Sequence, residues 1–164
     1  MRYTLLSVLA SITLFTTPIA QAEDALSVTI PRLTMETAGK MAHAAINECR
    51  KQGISISVTI VDRSGFPQVQ LRDTLAPPVS WPISRKKAYT ALNFNTPTSQ
   101  LTNRAQTGLA TLDEGLAFLA GGLPIQAGGR LYGGIGVSGA PDGKTDEACA
   151  QAGIDAVIDD LEML

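Results

Sequence analysis

The glycine-rich stretch near the C-terminus constrains this chain more than any other feature. Four glycines fall within seven residues, at positions 133, 134, 136 and 139, and the stretch ends in Gly139-Ala140-Pro141. The apolar run from Leu131 to Val137 predicts a central strand that is buried on both faces. Because glycines lack side chains, such a strand leaves room for a helix backbone, a neighbouring subunit or a flat ligand.

The same glycines match the pattern Gly-x-Gly-x-x-Gly in form. A dinucleotide site needs a strand, a tight turn and a helix N-terminus in immediate succession. Here the pattern lies inside a predicted strand, and the following helix begins only after Pro141-Asp142-Gly143. The sequence therefore does not predict a nucleotide site.

The remaining pattern predicts two β-hairpins bracketed by helices. The first helix is expected to begin after Thr34 and to end before Gly53. Residues 54–61 and 66–72 form one predicted hairpin, and residues 123–127 and 130–138 form the other around two turn glycines. Ser84 and Thr98 are expected to cap two helices, through about residues 94 and 106, and a last helix is expected over about residues 145–161. This arrangement predicts an α+β fold with helices packed on an antiparallel sheet.

The N-terminus has the composition of a secretory signal peptide. A positive charge at Arg2 precedes an apolar run from Leu5 to Phe15, and Ala20-Gln21-Ala22 has the small-x-small form of a cleavage site. The run is too short to span a bilayer. We therefore predict a leader over residues 1–22 and a single periplasmic or secreted domain over residues 23–164, without a membrane span.

Charge and histidine content exclude several classes of function. The chain carries 13 lysines and arginines against 15 acids, so loss of Arg2 with the leader leaves a net charge of about −3. That balance argues against nucleic acid or anionic membrane as a partner. His43 is the only histidine, which excludes a metal site built from several histidines.

Three motifs together resemble the GlcG/HbpS-like family, which is related to the PduO C-terminal domain. They are the glycine-rich stretch, Val61-Asp62-Arg63-Ser64-Gly65 and Gly121-Gly122-Leu123-Pro124-Ile125. The resemblance spans about Pro31 to Leu164. It implies a profilin-like or PAS-like domain with a sheet of about five strands, and it implies haem as a non-covalent cofactor, since several members bind haem. Covalent attachment is excluded because no Cys-x-x-Cys-His motif is present.

The resemblance also marks candidate ligand-binding residues. They are His43, Lys87, Thr98, Gly134 and Gly136. His43 is a candidate axial ligand to haem iron, although an exposed helical histidine is the simpler interpretation. Lys87 occupies the Lys-Ala-x-x-Ala position typical of the family, and it or its neighbours Arg85 and Lys86 are candidates to pair with haem propionates. Thr98 lies in a bend that either caps a helix or lines a ligand.

One departure from the family pattern affects the ligand. Many relatives carry a histidine directly after the Asp-x-x-Gly turn, whereas this chain has Phe66. If that histidine binds iron in relatives, this chain has lost it. Other side chains that are chemically able to bind iron are Met35, Met41, Tyr89, Tyr132 and the two cysteines, although a methionine at helical spacing usually belongs to the core and a tyrosine usually packs with its hydroxyl at the surface.

The two cysteines lie in helices that are expected to pack together. Cys49 falls near the end of the first helix and Cys149 near the start of the last, so antiparallel packing would bring them level. An oxidising compartment favours a disulfide between them. The alternative is two buried free thiols, which behave as small hydrophobic groups.

Three functions fit these observations. The first is an exported, non-enzymatic protein that binds haem, another tetrapyrrole or a small ligand and assembles into a homo-oligomer. The second is an enzyme or accessory protein for a small organic acid, in which Asp62, Arg72 or His43 would carry protons. The third is an oligomeric module that recognises another protein. No catalytic residue is assigned, because adjacent acids such as Asp146 and Glu147 are explained by the dipole of the helix they begin.

Overall fold

The protein is described by a computed structural model that covers residues 26–163. The predicted leader, residues 1–22, lies outside the described residues. The helices and strands follow in this order: α1 Met35–Lys51, β1 Ser57–Asp62, β2 Pro67–Arg72, α2 Ser80–Phe94, a 3-10 helix Thr98–Gln106, α3 Leu109–Leu112, β3 Gly122–Ala127, β4 Arg130–Ser138, α4 Gly143–Asp155 and α5 Ile158–Glu162.

The strands form one antiparallel sheet in the order β2-β1-β4-β3. β1 and β2 are one predicted hairpin, β3 and β4 are the other, and β1 pairs with β4 in the centre. Gly128 and Gly129 have φ angles of 54° and 74°, which are the positive values that a two-residue hairpin turn requires. The predicted α+β class with an antiparallel sheet is therefore confirmed.

The number of strands differs from the expected five. Residues 26–163 contain four strands, and all four belong to the two hairpins that the sequence pattern predicts. The fifth strand was implied by the family resemblance alone. Residues 27–34, which precede α1, form neither helix nor strand.

The larger core lies on one face of the sheet, beneath α1 and α4. Side chains alternate along each strand, so Val58 and Ile60 of β1 face this core together with Ile135 of β4. Met41 of α1 is fully buried against them. α1 and α4 are joined by a disulfide between Cys49 and Cys149, whose Cα atoms lie 5.7 Å apart.

The opposite face of the sheet is covered by α2, which approaches the strands unusually closely. A Cβ atom placed on Gly136 would overlap the Ser84 carbonyl oxygen, and one on Gly134 would overlap the Ala88 carbonyl oxygen. Gly122 of β3 meets the backbone of Lys87 in the same way. The glycines of the glycine-rich strand therefore accommodate a helix backbone, which is the first of the three occupants considered for that space.

Hydroxyl groups fill the narrow interface between α2 and β1. Ser57 and Ser80 are hydrogen-bonded at 2.7 Å, and Thr59 and Ser84 at 2.8 Å. All four side chains are buried. Small polar residues are needed here because larger side chains would separate the helix from the glycines.

The capping predictions for Ser84 and Thr98 are wrong. α2 begins earlier, at Ser80, because Pro82 falls in the first turn, where its missing N–H group costs no helical hydrogen bond. The segment at Thr98 is a 3-10 helix whose N-cap is Pro97, and no side chain caps it.

The last predicted helix is divided into α4 and α5. Asp142 caps α4, and its carboxylate accepts hydrogen bonds from the backbone N–H groups of Lys144 and Thr145, both at 2.9 Å. The Val157 N–H donates to the carbonyl of Ile154, which lies three residues earlier rather than the four of an α-helix. This bond tightens the last turn, and α4 ends there.

Candidate functional site

The site residues predicted from the sequence lie on two different sides of the sheet. Lys87, Thr98, Gly134 and Gly136 cluster beneath or beside α2. His43 lies on the exposed surface of α1, which covers the other face. The structure therefore does not bring these five residues together into one site.

Lys87 is buried and already has a partner. Its side chain is only 4% exposed, and its ammonium donates to Asp146 Oδ2 at 2.7 Å and to the carbonyl of Val137 at 3.0 Å. Burial raises the pKa of Asp146, although the nearby Lys87 charge and hydrogen bond oppose that shift. Lys87 thus ties α2 to α4 and β4, and in this arrangement it does not present its charge to a propionate.

Thr98 is fully buried and positions β3. Its hydroxyl accepts a hydrogen bond from the Gly122 N–H at 2.8 Å and lies 3.4 Å from the Gly122 carbonyl oxygen, to which it donates. Gly134 and Gly136 are occupied by the α2 backbone, as described above. These three residues serve the packing of the sheet edge and α2, and none of them lines the three cavities described below.

The most suitable open site is a groove between the β1–β2 turn and α2, with a volume of about 490 Å³. We call it the α2 groove. It is lined by Ser64, Gly65, Phe66, Pro82, Arg85, Lys86, Tyr89, Asp113, Glu114 and Gly115. Cavities of 300–1,000 Å³ are typical of small-molecule sites.

Apolar and cationic groups lie side by side in the α2 groove. Phe66 is 70% exposed there, and Pro82 adds a second apolar surface. Arg85 and Lys86 form no ion pair with any other residue between 26 and 163. Phe66 directly follows the Asp-x-x-Gly turn, and it offers an aromatic surface in this groove.

Tyr89 lines the groove, and its ring lies between Gly65 and Gly115. A Cβ atom on Gly65 would come within 2.8 Å of the ring carbons, and one on Gly115 within 3.1 Å. Gly65 also has a φ angle of 82°, which a residue with a side chain rarely adopts. The Tyr89 hydroxyl donates a hydrogen bond of 3.3 Å to Asp113 Oδ2.

Two further cavities occur in the described part of the chain. One, of about 560 Å³, is lined by Val28, Thr29, Ile30, Pro31, Arg63, Arg130 and Leu131. The other, of about 360 Å³, lies beside the Lys87–Asp146 pair and the start of α4. Neither is lined by histidine, cysteine, methionine or tyrosine, which are the usual axial ligands of haem iron. His43 lines none of the three cavities.

The α2 groove has a signal in the sequence that single-residue reasoning missed. Pro82, Arg85, Lys86 and Tyr89 follow one another at positions i, i+3, i+4 and i+7, so they share one face of a helix. Taken separately, the basic cluster and Tyr89 did not indicate a shared site. The remaining lining residues come from distant turns, which only the folded chain brings together.

The residues of the small-acid alternative are engaged in holding the fold. Asp62 accepts hydrogen bonds from the backbone of its own turn and pairs with Arg32 at 2.9 Å. Arg72 donates to the carbonyl of Ala76 at 2.6 Å. Since Asp62 and Arg72 lie at opposite ends of the β1–β2 hairpin, they do not converge with His43 on one reacting atom.

The described residues lack both a cluster of metal ligands and a membrane-spanning helix. Residues 26–163 contain no group of three or more histidine, cysteine, aspartate or glutamate side chains arranged to hold a metal ion. In the same range, no helix combines the length and apolar character that crossing a membrane requires.

Comparison with known proteins identifies several relatives. A family model described as "Haem degrading protein HbpS-like" matches residues 33–155. The crystal structure of a double mutant of HbpS from Streptomyces reticuli is 40% identical, covers 87% of this chain and 97% of its own, and superposes with a TM-score of 0.76. The crystal structure of a PduOC:haem complex is 30% identical, with 76% and 94% coverage and a TM-score of 0.71. A protein of Citrobacter freundii named as an uncharacterised 15.0 kDa protein is 30% identical over 67% of this chain and 82% of its own length.

Proposed function

The chain belongs to the HbpS-like family, and from this membership and the composition of the α2 groove we propose that the protein is an exported one that binds haem non-covalently. Two findings support the ligand: one solved relative is a complex with haem, and the family description names haem. The groove supports the site. The feature that carries the proposal is an exposed aromatic side chain, Phe66, in the same groove as two cations, Arg85 and Lys86, that form no ion pair with any described residue.

The groove residues fit the chemistry of haem, which is a flat apolar ring with two carboxylates at one edge. Phe66 and Pro82 offer apolar surface to the ring, while Arg85 and Lys86 lie within the same groove to pair with the propionates. Asp113 and Glu114 also line the groove, on the α3–β3 loop. Asp113 is engaged by Tyr89 and by the Gly115 N–H, so part of its charge is already compensated. When bound, haem would supply a redox-active iron in this groove.

Export and assembly are part of the same proposal. Export is supported by the disulfide between Cys49 and Cys149, because such bonds persist in oxidising compartments. Assembly into a homo-oligomer is supported by Leu26, Val28 and Ile30, which are 104%, 82% and 51% exposed in the segment before α1. Gel filtration with light scattering measures the oligomer directly.

Haem titration of paired charge variants tests the groove. Replacing Arg85 and Lys86 together by alanine is expected to weaken haemin binding about tenfold, since each exposed ion pair contributes up to about 1 kcal/mol. The affinity is measured from the Soret absorption of haemin titrated into residues 23–164. The matched control replaces Lys40 and Lys51 of α1, which removes the same charge from the other side of the sheet.

Two results would contradict the proposal. If wild-type protein does not retain haemin stoichiometrically on gel filtration, the protein does not bind haem. If the α1 control weakens binding as much as the groove variant, net charge is responsible and the α2 groove is not the site. A time course with reductant then separates binding from turnover, because a non-enzymatic role requires that the Soret band persist after its initial shift on reduction of the iron.

A further inference from the structure

We propose that the phenol oxygen of Tyr89 is the axial ligand of ferric haem in the α2 groove and that Asp113 positions it. This inference rests on the proposed function and goes beyond it, because haem could occupy the groove without any bond from this chain to iron. It is carried by the packing, the hydrogen bonding and the surroundings of Tyr89.

The first observation is the choice of donors. Among the residues that line the three cavities described above, Tyr89 is the one side chain of the four usual axial-ligand types. Tyr132, the other tyrosine between residues 26 and 163, is 4% exposed within the core beneath α1 and α4. Cys49 and Cys149 are bonded to each other.

The second observation is the close packing around the Tyr89 ring. A Cβ atom on Gly65 would lie 2.8 Å from the ring and would have to displace it, whereas one on Gly115 would lie 3.1 Å away, a tight contact with the ring. A ligand held rigidly loses little conformational entropy on binding. The glycine of the Asp-x-x-Gly turn therefore has a role beyond the turn itself, since it leaves space for the Tyr89 ring.

The third observation is the carboxylate behind the phenol. Asp113 Oδ2 accepts the Tyr89 hydroxyl at 3.3 Å, while Oδ1 accepts the Gly115 N–H at 2.6 Å and is thereby fixed. When the phenol oxygen binds iron(III), an Fe–O bond forms and the O–H bond breaks. The proton passes to solvent, and the iron neither gains nor loses an electron. Asp113 is thus a positioning residue that fixes the direction of the phenol oxygen.

Spectroscopy of the haemin-loaded protein tests the ligand. Wild-type protein is expected to show tyrosinate vibrations in the resonance Raman spectrum and the absorption of high-spin ferric haem. Tyr89→Phe is expected to lose the tyrosinate vibrations and to bind haemin at least tenfold more weakly. Tyr132→Phe is the matched control, because it removes the same hydroxyl from the far core and is expected to leave the spectrum unchanged.

Metal-free protoporphyrin IX separates iron ligation from packing. Tyr89→Phe keeps the ring, so its affinity for the metal-free porphyrin is expected to equal that of the wild type. A positioning role for Asp113 has its own readout. Asp113→Ala, which removes both acceptor oxygens, is expected to keep haem bound but to shift and broaden the tyrosinate vibrations, whereas Asp113→Asn, whose amide oxygen can still accept a hydrogen bond, is expected to restore them.

The outcomes separate this inference from the proposed function. Stoichiometric haemin binding with an unchanged spectrum in Tyr89→Phe would overturn the Tyr89 ligand and leave haem binding intact. A spectral change in His43→Ala but not in Tyr89→Phe would transfer the ligand to His43. Absence of haemin binding by the wild type would overturn both proposals. An equal loss of affinity for haemin and metal-free porphyrin in Tyr89→Phe would show that Tyr89 contributes to packing and does not bind the iron.

Discussion

Replacing Cys49 and Cys149 together by alanine is expected to lower the free energy of unfolding by about 4 kcal/mol. The bond closes a loop with a sequence separation of 100, and in the chain-entropy model the stabilisation grows with the length of the loop. Both cysteines are fully buried between α1 and α4. The alanine pair therefore gains no contact with solvent that could offset the lost bond. Urea unfolding at neutral pH, followed by circular dichroism, measures the change.

Reductant provides the control for the disulfide prediction. Wild-type protein that is unfolded and refolded with reductant is expected to match the alanine pair in stability, whereas reductant should not affect the alanine pair itself. A double variant within about 1 kcal/mol of the oxidised wild type would contradict the prediction, because the measured stabilisation by native disulfides is typically larger. Haem affinity is expected to persist, since the disulfide and the α2 groove lie on opposite faces of the sheet.

Replacing Lys87 by methionine is expected to cost about 3–5 kcal/mol at neutral pH, because it leaves the buried Asp146 carboxylate without its partner. The cost should depend on pH in a defined direction. Burial already raises the pKa of Asp146, and removal of Lys87 raises it further. A carboxyl group with a raised folded-state pKa binds a proton more tightly in the folded protein than in the unfolded one. The variant should therefore regain stability as the pH falls toward the pKa of Asp146 and lose it as the pH rises.

The double variant Lys87→Met/Asp146→Asn is the matched test of that argument. An amide oxygen can still accept the Ala140 N–H, which Asp146 Oδ1 now accepts at 3.0 Å, and no buried charge remains. We expect the double variant to recover most of the loss. A single variant as stable as wild type, or a double variant no better than the single one, would show that the buried pair does not hold α2 to α4. In either variant the folded protein should bind haem as wild type does, because Lys87 points away from the α2 groove.

The hairpins could be predicted because their information is local. Asp62-Arg63-Ser64-Gly65 and Gly128-Gly129 fix their turns through backbone conformation and nearby hydrogen bonds, which involve few distant residues. The Thr34 cap of α1 is local in the same sense and is confirmed by the bond that its hydroxyl accepts from the Thr37 N–H. The predicted start of α2 was wrong because Ser84 has the side chain of a typical N-cap. In the structure its hydroxyl is hydrogen-bonded to Thr59 of β1, across the interface between α2 and the sheet.

The candidate site could not be assembled from the sequence because its parts are distant along the chain. Gly65, Tyr89 and Gly115 come from a turn, a helix and a loop, and only the packing of α2 on the glycine-rich strand brings them together. The same packing decides what Gly134 and Gly136 do. Sequence alone left a helix, a subunit and a ligand as equal occupants of that space, and carbonyl oxygens of α2 fill it.

Chemical-shift mapping with a diamagnetic haem analogue tests the central claim most directly. Gallium protoporphyrin IX is titrated into nitrogen-15-labelled protein that comprises residues 23–164. Haem binding in the α2 groove predicts saturable shifts at the amides of Gly65, Phe66, Tyr89 and Gly115, with the α1 amides around His43 unchanged. Shifts centred on His43, or no saturable shifts at all, would contradict the claim.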